Sequence, residues 1–215
     1  MACMFALAGV SAAYAAAPTT ASPPVEGRDF ILIRTGAPFS TPAGQVEVVE
    51  FFNYACPACN SFQPFVKAWK AKLPAYVRFI YIPMDFRADF VQYARAYYAA
   101  ELFGIAEKSH DAVFQAIHET HKLPGEGAQQ DADTIARFYK QYGVDEKKFA
   151  EAMSSFSVQM KVSNGRQYAQ RSQVSGTPTM LVDGRYLVRG NSWQDTLRIT
   201  SDLIAQVRAA KPPGK

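Results

Sequence analysis

The chain has 215 residues, 48% of them hydrophobic and 20% charged, which excludes intrinsic disorder, collagen-like repeats and a coiled coil. A net charge of +4, with no basic run and no basic–aromatic interleaving, argues against nucleic acid as a partner. Three cysteines are too few for a disulfide scaffold, and the length suffices for one domain with a large insertion or for two small domains.

Residues 1–17, MACMFALAGVSAAYAAA, carry no charge. Met4 to Val10 is a short apolar run and Ala13-Tyr14-Ala15 a small-x-small cleavage signal. The segment therefore reads as the back half of a secretory signal peptide whose positive start lies upstream. The run is too short to span a bilayer. Cys3 lacks the apolar residue three positions earlier that a lipid-anchor signal needs, so no anchor is expected. Cleavage after Ala15 or Ala17 removes Cys3 and leaves Cys56 and Cys59 as the only cysteines of an exported chain. A bridge between them closes so short a ring that it stabilises little, so the pair points to chemistry rather than to a staple.

Residues 18–28 form a Pro/Ser/Thr linker. Asp29 to Ile33 is a short strand candidate, and Val46 to Phe52, β-branched and aromatic, is a second. The helical spacing of Phe62, Phe65, Val66 and Trp69 predicts a helix from Asn60 to Leu73, with Pro57 in its first turn and a kink at Pro64. Val77 to Ile82 is a third strand. From 85 to 174 the period is helical throughout. Val91, Ala94, Tyr98 and Leu102 share one face; a second helix spans Asp111 to His121; Asp131 or Asp133 caps a third that Gly143 stops; Asp145 caps the next; the last runs to about Gln173. Thr179 to Val182, an Asp183-Gly184 turn and Arg185 to Arg189 form a hairpin. Trp193, Leu197, Thr200, Ile204 and Val207 mark a C-terminal helix. The economical arrangement is α/β: a mixed sheet from 29–84 and 175–210, flanked by helices, with an all-α insertion at 85–174.

Strand, turn, Cys-Pro-Ala-Cys and helix place Cys56 at a helix N-terminus, where free N–H groups and the helix dipole favour a thiolate. Cys59, one turn on, is near enough to bridge and less exposed. The pair is read as redox-active; an inert bridge and half a metal site are the alternatives. A metal would need two more ligands, and His118 and His121, three residues apart, fit no known finger spacing. Both are read as solvated helix histidines, and His110 has no visible partner. No metal and no cofactor is expected.

The segment VEVVEFFNYACPACNSFQPF resembles the active-site segment of the DsbA family, the bacterial periplasmic disulfide oxidants of thioredoxin fold. Ser175-Gly176-Thr177-Pro178-Thr179, Ser155-Phe156-Ser157-Val158 and the helical insertion match as well, so the resemblance covers about Asp29 to Val207. It implies that Cys56 is the nucleophile, Cys59 its buried partner and Pro178 a cis-proline that presents Thr177 to an extended substrate. It implies that Glu50 is a buried acid assisting proton transfer at Cys59; a solvated edge carboxylate is the alternative. It further implies a periplasmic monomer, reduced exported proteins as substrates and a membrane quinone-linked, DsbB-like reoxidising partner. Two residues depart from the pattern of the strong oxidants: Ala58 stands where they carry His, and Thr177 where they often carry Val. A disulfide isomerase or reductase, and a non-catalytic binding module, are the competing readings.

Overall fold

The computed structural model describes residues 22–211. The signal-peptide reading of 1–17, Cys3, the first linker residues and the last four residues lie outside them. Five strands form one sheet: β1 (Phe30–Leu32), β2 (Val46–Phe52), β3 (Val77–Pro83), β4 (Thr179–Val182) and β5 (Tyr186–Val188), in the order β1-β5-β4-β2-β3. β2 pairs in parallel with β3 and antiparallel with β4, and the β4–β5 and β5–β1 pairs are antiparallel. This is the mixed sheet expected from the element order. Asp183 and Gly184 both have positive φ, 52° and 69°, as a tight two-residue hairpin turn requires.

β2 is the central strand and is buried along its whole length. Its alternation splits the strand between two apolar layers. Val46 and Val48 pack with Phe62 and Val66 of α1 (Pro57–Lys70) and with Leu197, Leu203 and Val207 of α7 (Trp193–Ala210). Val49 and Phe51 pack with Tyr168 and Ala169 of α6 (Phe156–Arg171) on the other face. Glu47 and Glu50 therefore both lie inside, one on each side. Glu47 accepts from the Phe39 and Ser40 N–H groups at 2.6 and 3.0 Å and from the Thr41 hydroxyl at 2.7 Å, pinning the turn-rich segment before the strand.

The inserted block contains a 3-10 turn, Ala88–Phe90, then α2 (Val91–Leu102), α3 (Ala106–His118), α4 (Ala132–Tyr139), α5 (Glu146–Ser154) and α6. Asp131, Asp145 and Ser155 each accept a first-turn N–H and cap α4, α5 and α6. Gly143, φ 80°, ends the third helical segment as expected. Several boundaries differ from expectation. The second helix begins five residues before Asp111 and ends at His118; its N-cap, Ile105, makes no side-chain cap bond and so leaves no signature. α2 is buried nearly all round, through Tyr93, Ala94, Tyr97, Tyr98 and Ala100, whereas Leu102 is exposed. α1 starts at Pro57, and its helical run continues through Pro64.

Candidate active site

The β2–α1 junction carries the cysteine pair. Beyond Phe52 the chain turns through Asn53, Tyr54 and Ala55, all fully buried. Asn53 shapes this turn. Its Oδ1 accepts from Ala55 N at 2.9 Å, its backbone carbonyl accepts from Cys56 N at 3.2 Å, and its Nδ2 donates to the carbonyls of Met84 and Phe90 at 2.7 and 3.0 Å. Cys56 is the N-cap of α1, in extended conformation, and Pro57 opens the helix.

Both cysteines are free thiols. The Cys59 N–H donates to Cys56 Sγ at 3.4 Å, and the Cys56 thiol lies 3.5 Å from the Thr177 carbonyl, to which it can donate. The Cys56 thiol is pushed down to about 6: the Cys59 thiol donates to it, the Thr177 hydroxyl and the Cys59 and Ala58 N–H groups add to that, and burial opposes them. The Cys59 thiol is pushed well up by burial and by the Cys56 and Glu50 charges. The geometry thus places the thiolate on the outer sulfur and the proton on the inner one.

Glu50 is 1% exposed, and its Oε2 has no partner among the described residues. Burial pushes its carboxyl up to about 8; the Lys70 cation opposes this and the Cys56 thiolate reinforces it. The solvated-edge alternative for Glu50 is thereby excluded. Tyr81 faces it across the β2–β3 pair, and Lys70 Nζ lies 4.9 Å from the Tyr81 ring centre.

The Thr177–Pro178 peptide bond is cis. Pro178 lines a cleft of about 440 Å³ together with Phe62, Met180, Asn191 and Trp193. The structure therefore brings Cys56, Cys59, Glu50, Thr177 and Pro178 into one region, although they come from opposite ends of the sheet sequence.

His110 and His118 depart from the sequence reading, whereas His121 is exposed as expected, though off the helix. His110 is buried against Tyr54, with Nδ1 3.0 Å from the Tyr54 hydroxyl, and burial holds its ring down to about 3. His118 is half-buried, with Nε2 2.8 Å from the Tyr54 carbonyl. His121 lies beyond the end of α3 with φ 51°. Only the tertiary fold could reveal the first two, because Tyr54 lies more than fifty residues away in sequence. Among the described residues no group of three or more His, Cys, Asp or Glu is arranged to hold a metal.

A helix-capping thiolate, a buried protonated thiol one turn on and a buried acid beneath them, on a thioredoxin-type sheet, define a thiol–disulfide oxidoreductase. Its relatives place it within that class. The family model for the DSBA-like thioredoxin domain matches residues 47–200. The thiol:disulfide interchange protein DsbA of Burkholderia cepacia is 38% identical over 208 residues, 94% of this chain and 95% of its own. That of Pseudomonas aeruginosa is 33% identical over 187 residues, 86% of each chain. The crystal structure of the oxidoreductase DsbA from Xylella fastidiosa superposes with a TM-score of 0.83 at 41% identity, covering 86% of this chain and 98% of that one. The chain belongs to the DsbA family, and it is an enzyme that introduces disulfide bonds into substrates.

Proposed function

We propose that this protein is a periplasmic oxidant of exported proteins in which Cys56 carries the exchange, Cys59 is the buried partner, Glu50 moves the proton, and Thr177 and Pro178 form the substrate-facing edge. In the oxidised enzyme the two cysteines are bridged. A substrate thiolate attacks Cys56 Sγ; the sulfur–sulfur bond breaks, and Cys59 leaves as a thiolate that takes its proton from Glu50. A second substrate thiolate then attacks the substrate sulfur of the mixed disulfide, and Cys56 leaves as a thiolate. The substrate loses two electrons and the enzyme gains them; a membrane quinone-linked partner of the DsbB kind would remove them again. An extended substrate segment would lie in the cleft beside Pro178, against the backbone of Thr177. We assign the sheet part to 29–84 and 175–210 and the inserted helical part to 85–174.

The observation that carries the oxidant reading is Cys56 Sγ capping the N-terminus of α1, where it accepts the Cys59 N–H at 3.4 Å and the thiol is pushed down to about 6. A good leaving thiolate speeds release of the oxidised substrate and stabilises the reduced enzyme, which makes the disulfide oxidising. Titrating the pair against glutathione tests this. An oxidant is reduced at low ratios of reduced to oxidised glutathione; a pair that resists reduction would identify a reductase, and a protein that turns over no reduced substrate would be a binding module.

A further inference from the structure

The turn that delivers Cys56 is gripped from the inserted block by one face of α3. His110, Phe114 and His118 are spaced i, i+4, i+8, so they form a stripe along that helix. The stripe embraces Tyr54, two residues before Cys56. The His110 and Phe114 ring centres lie 5.2 and 5.1 Å from that of Tyr54, and the His118 ring stacks on Phe114 at 6.2 Å and 29°. His110 meets the Tyr54 hydroxyl and His118 meets its carbonyl. A carbonyl only accepts, so His118 Nε2 carries the hydrogen.

That bond has a particular place in the turn. Asn53, Tyr54 and Ala55 are fully buried, so their backbone polar groups need protein partners. Asn53 supplies those of Ala55 N and Cys56 N. The Tyr54 carbonyl belongs to no strand or helix, and its partner among the described residues is His118. The position of the turn in turn fixes where Cys56 Sγ meets the N–H of Cys59, at 3.4 Å. Ala58 brings no polar side chain to the first helical turn, so the thiolate depends on groups whose value is set by geometry.

We propose that His118 is a positioning residue for the redox reaction: by donating to the Tyr54 carbonyl it holds the turn so that Cys56 Sγ stays on the α1 N-terminus. The inference rests on Cys56 being the reactive thiol, and its test separates the two. Alkylation of Cys56 against pH is measured in the reduced full protein and in two variants. His118→Phe keeps a ring on Phe114 and removes the donor; His118→Gln removes the ring and restores an N–H. The Phe variant is expected to move the Cys56 equilibrium toward the thiol by about fivefold, the factor carried by a hydrogen bond of ordinary net strength, and so to lower its reactivity at pH 6 by about threefold. The Gln variant is expected to recover most of it. A merely structural histidine would lower thermal stability and leave the Cys56 titration where it is. An unmoved midpoint in the Phe variant, or a Gln variant as impaired as Phe, overturns the inference. A wild-type Cys56 that titrates like an ordinary thiol overturns the functional reading itself. Should His118→Phe fail to fold, nitrogen-15 spectra of the wild-type imidazole decide. A protected Nε2–H whose shift responds to reduction of the pair supports the inference, and a freely exchanging, unresponsive ring refutes it.

Discussion

Cys56 sits where two opposed effects meet. Burial penalises a thiolate, and the donors from Cys59, Thr177 and the first turn of α1 stabilise one; the donors win, leaving the thiol at about 6. Glu50, one layer below, has no donors at its Oε2, and there burial wins, leaving the acid at about 8. Two acids a few residues apart thus have their ordinary order inverted, so that near pH 7 the sulfur is charged and the carboxyl is neutral. The depressed thiol makes stability depend on pH. The thiolate exists only in the reduced protein, and its folded value lies below the ordinary thiol value of about 8.5. Its contribution is therefore complete above about 8.5 and is lost as pH falls through about 6. At pH 7 it should amount to about 1.4 kcal/mol. Denaturant unfolding of the reduced and oxidised forms from pH 9 to pH 5 should show the reduced form losing ground relative to the oxidised one as the solution is acidified. A gap that stays constant over that range would mean that Cys56 is not the depressed group.

The redox helix α1 supplies the N–H groups, and its first turn is where its strength can be tuned. Ala58, half-buried there, offers no charge. A protonated imidazole at that position would lie beside the thiolate. One favourable charge near a helix end contributes about 0.3–2 kcal/mol. For a two-electron couple this corresponds to roughly 10–40 mV. Ala58→His should therefore raise the reduction potential by that amount and lower the Cys56 titration further, both read from a glutathione titration and an alkylation profile. If neither moves, charge in the intervening dipeptide does not set redox strength in this chain. The element scale also shows what was legible in advance. β2, α1, the hairpin and the cap at Asp145 could be read because strand alternation, Pro57, Asp183-Gly184 and a short polar cap are local signals. The start of α3 could not, since Ile105 caps with backbone alone. Nor could the roles of His110 and His118, because their partner Tyr54 is brought by the turn after β2 from distant sequence. Leu102 misled because a helix buried on most of its surface has no single apolar face to find.

At the scale of the molecule, sheet part and insertion share one apolar core. Phe52, Tyr54, Cys59 and Tyr81 from the sheet side pack in the same cluster as Tyr93, Tyr97, Phe114, Ile135 and Phe149 from the helical side. Polar ties cross the same boundary: Asn53 to the Phe90 carbonyl and Lys70 to Glu107 at 2.7 Å. Opening the insertion would strip Phe52, Tyr54 and Tyr81 of their cover, at about 1.5–3 kcal/mol for each large apolar side chain returned to water. That cost binds the fate of one part to the other, as in a single cooperative unit. The chain carries its own reporters for this. Its two tryptophans, Trp69 and Trp193, lie on α1 and α7 in the sheet part, whereas most of the helical residues lie in α2 to α6. Tryptophan fluorescence therefore follows the sheet part, and far-ultraviolet circular dichroism chiefly follows the insertion. On heating the reduced protein, the two signals should share one midpoint and one transition width. Midpoints several degrees apart would show that the inserted block melts on its own. The active-site turn, held between Asn53 and α3, would then lose its grip on Cys56 before the sheet unfolds.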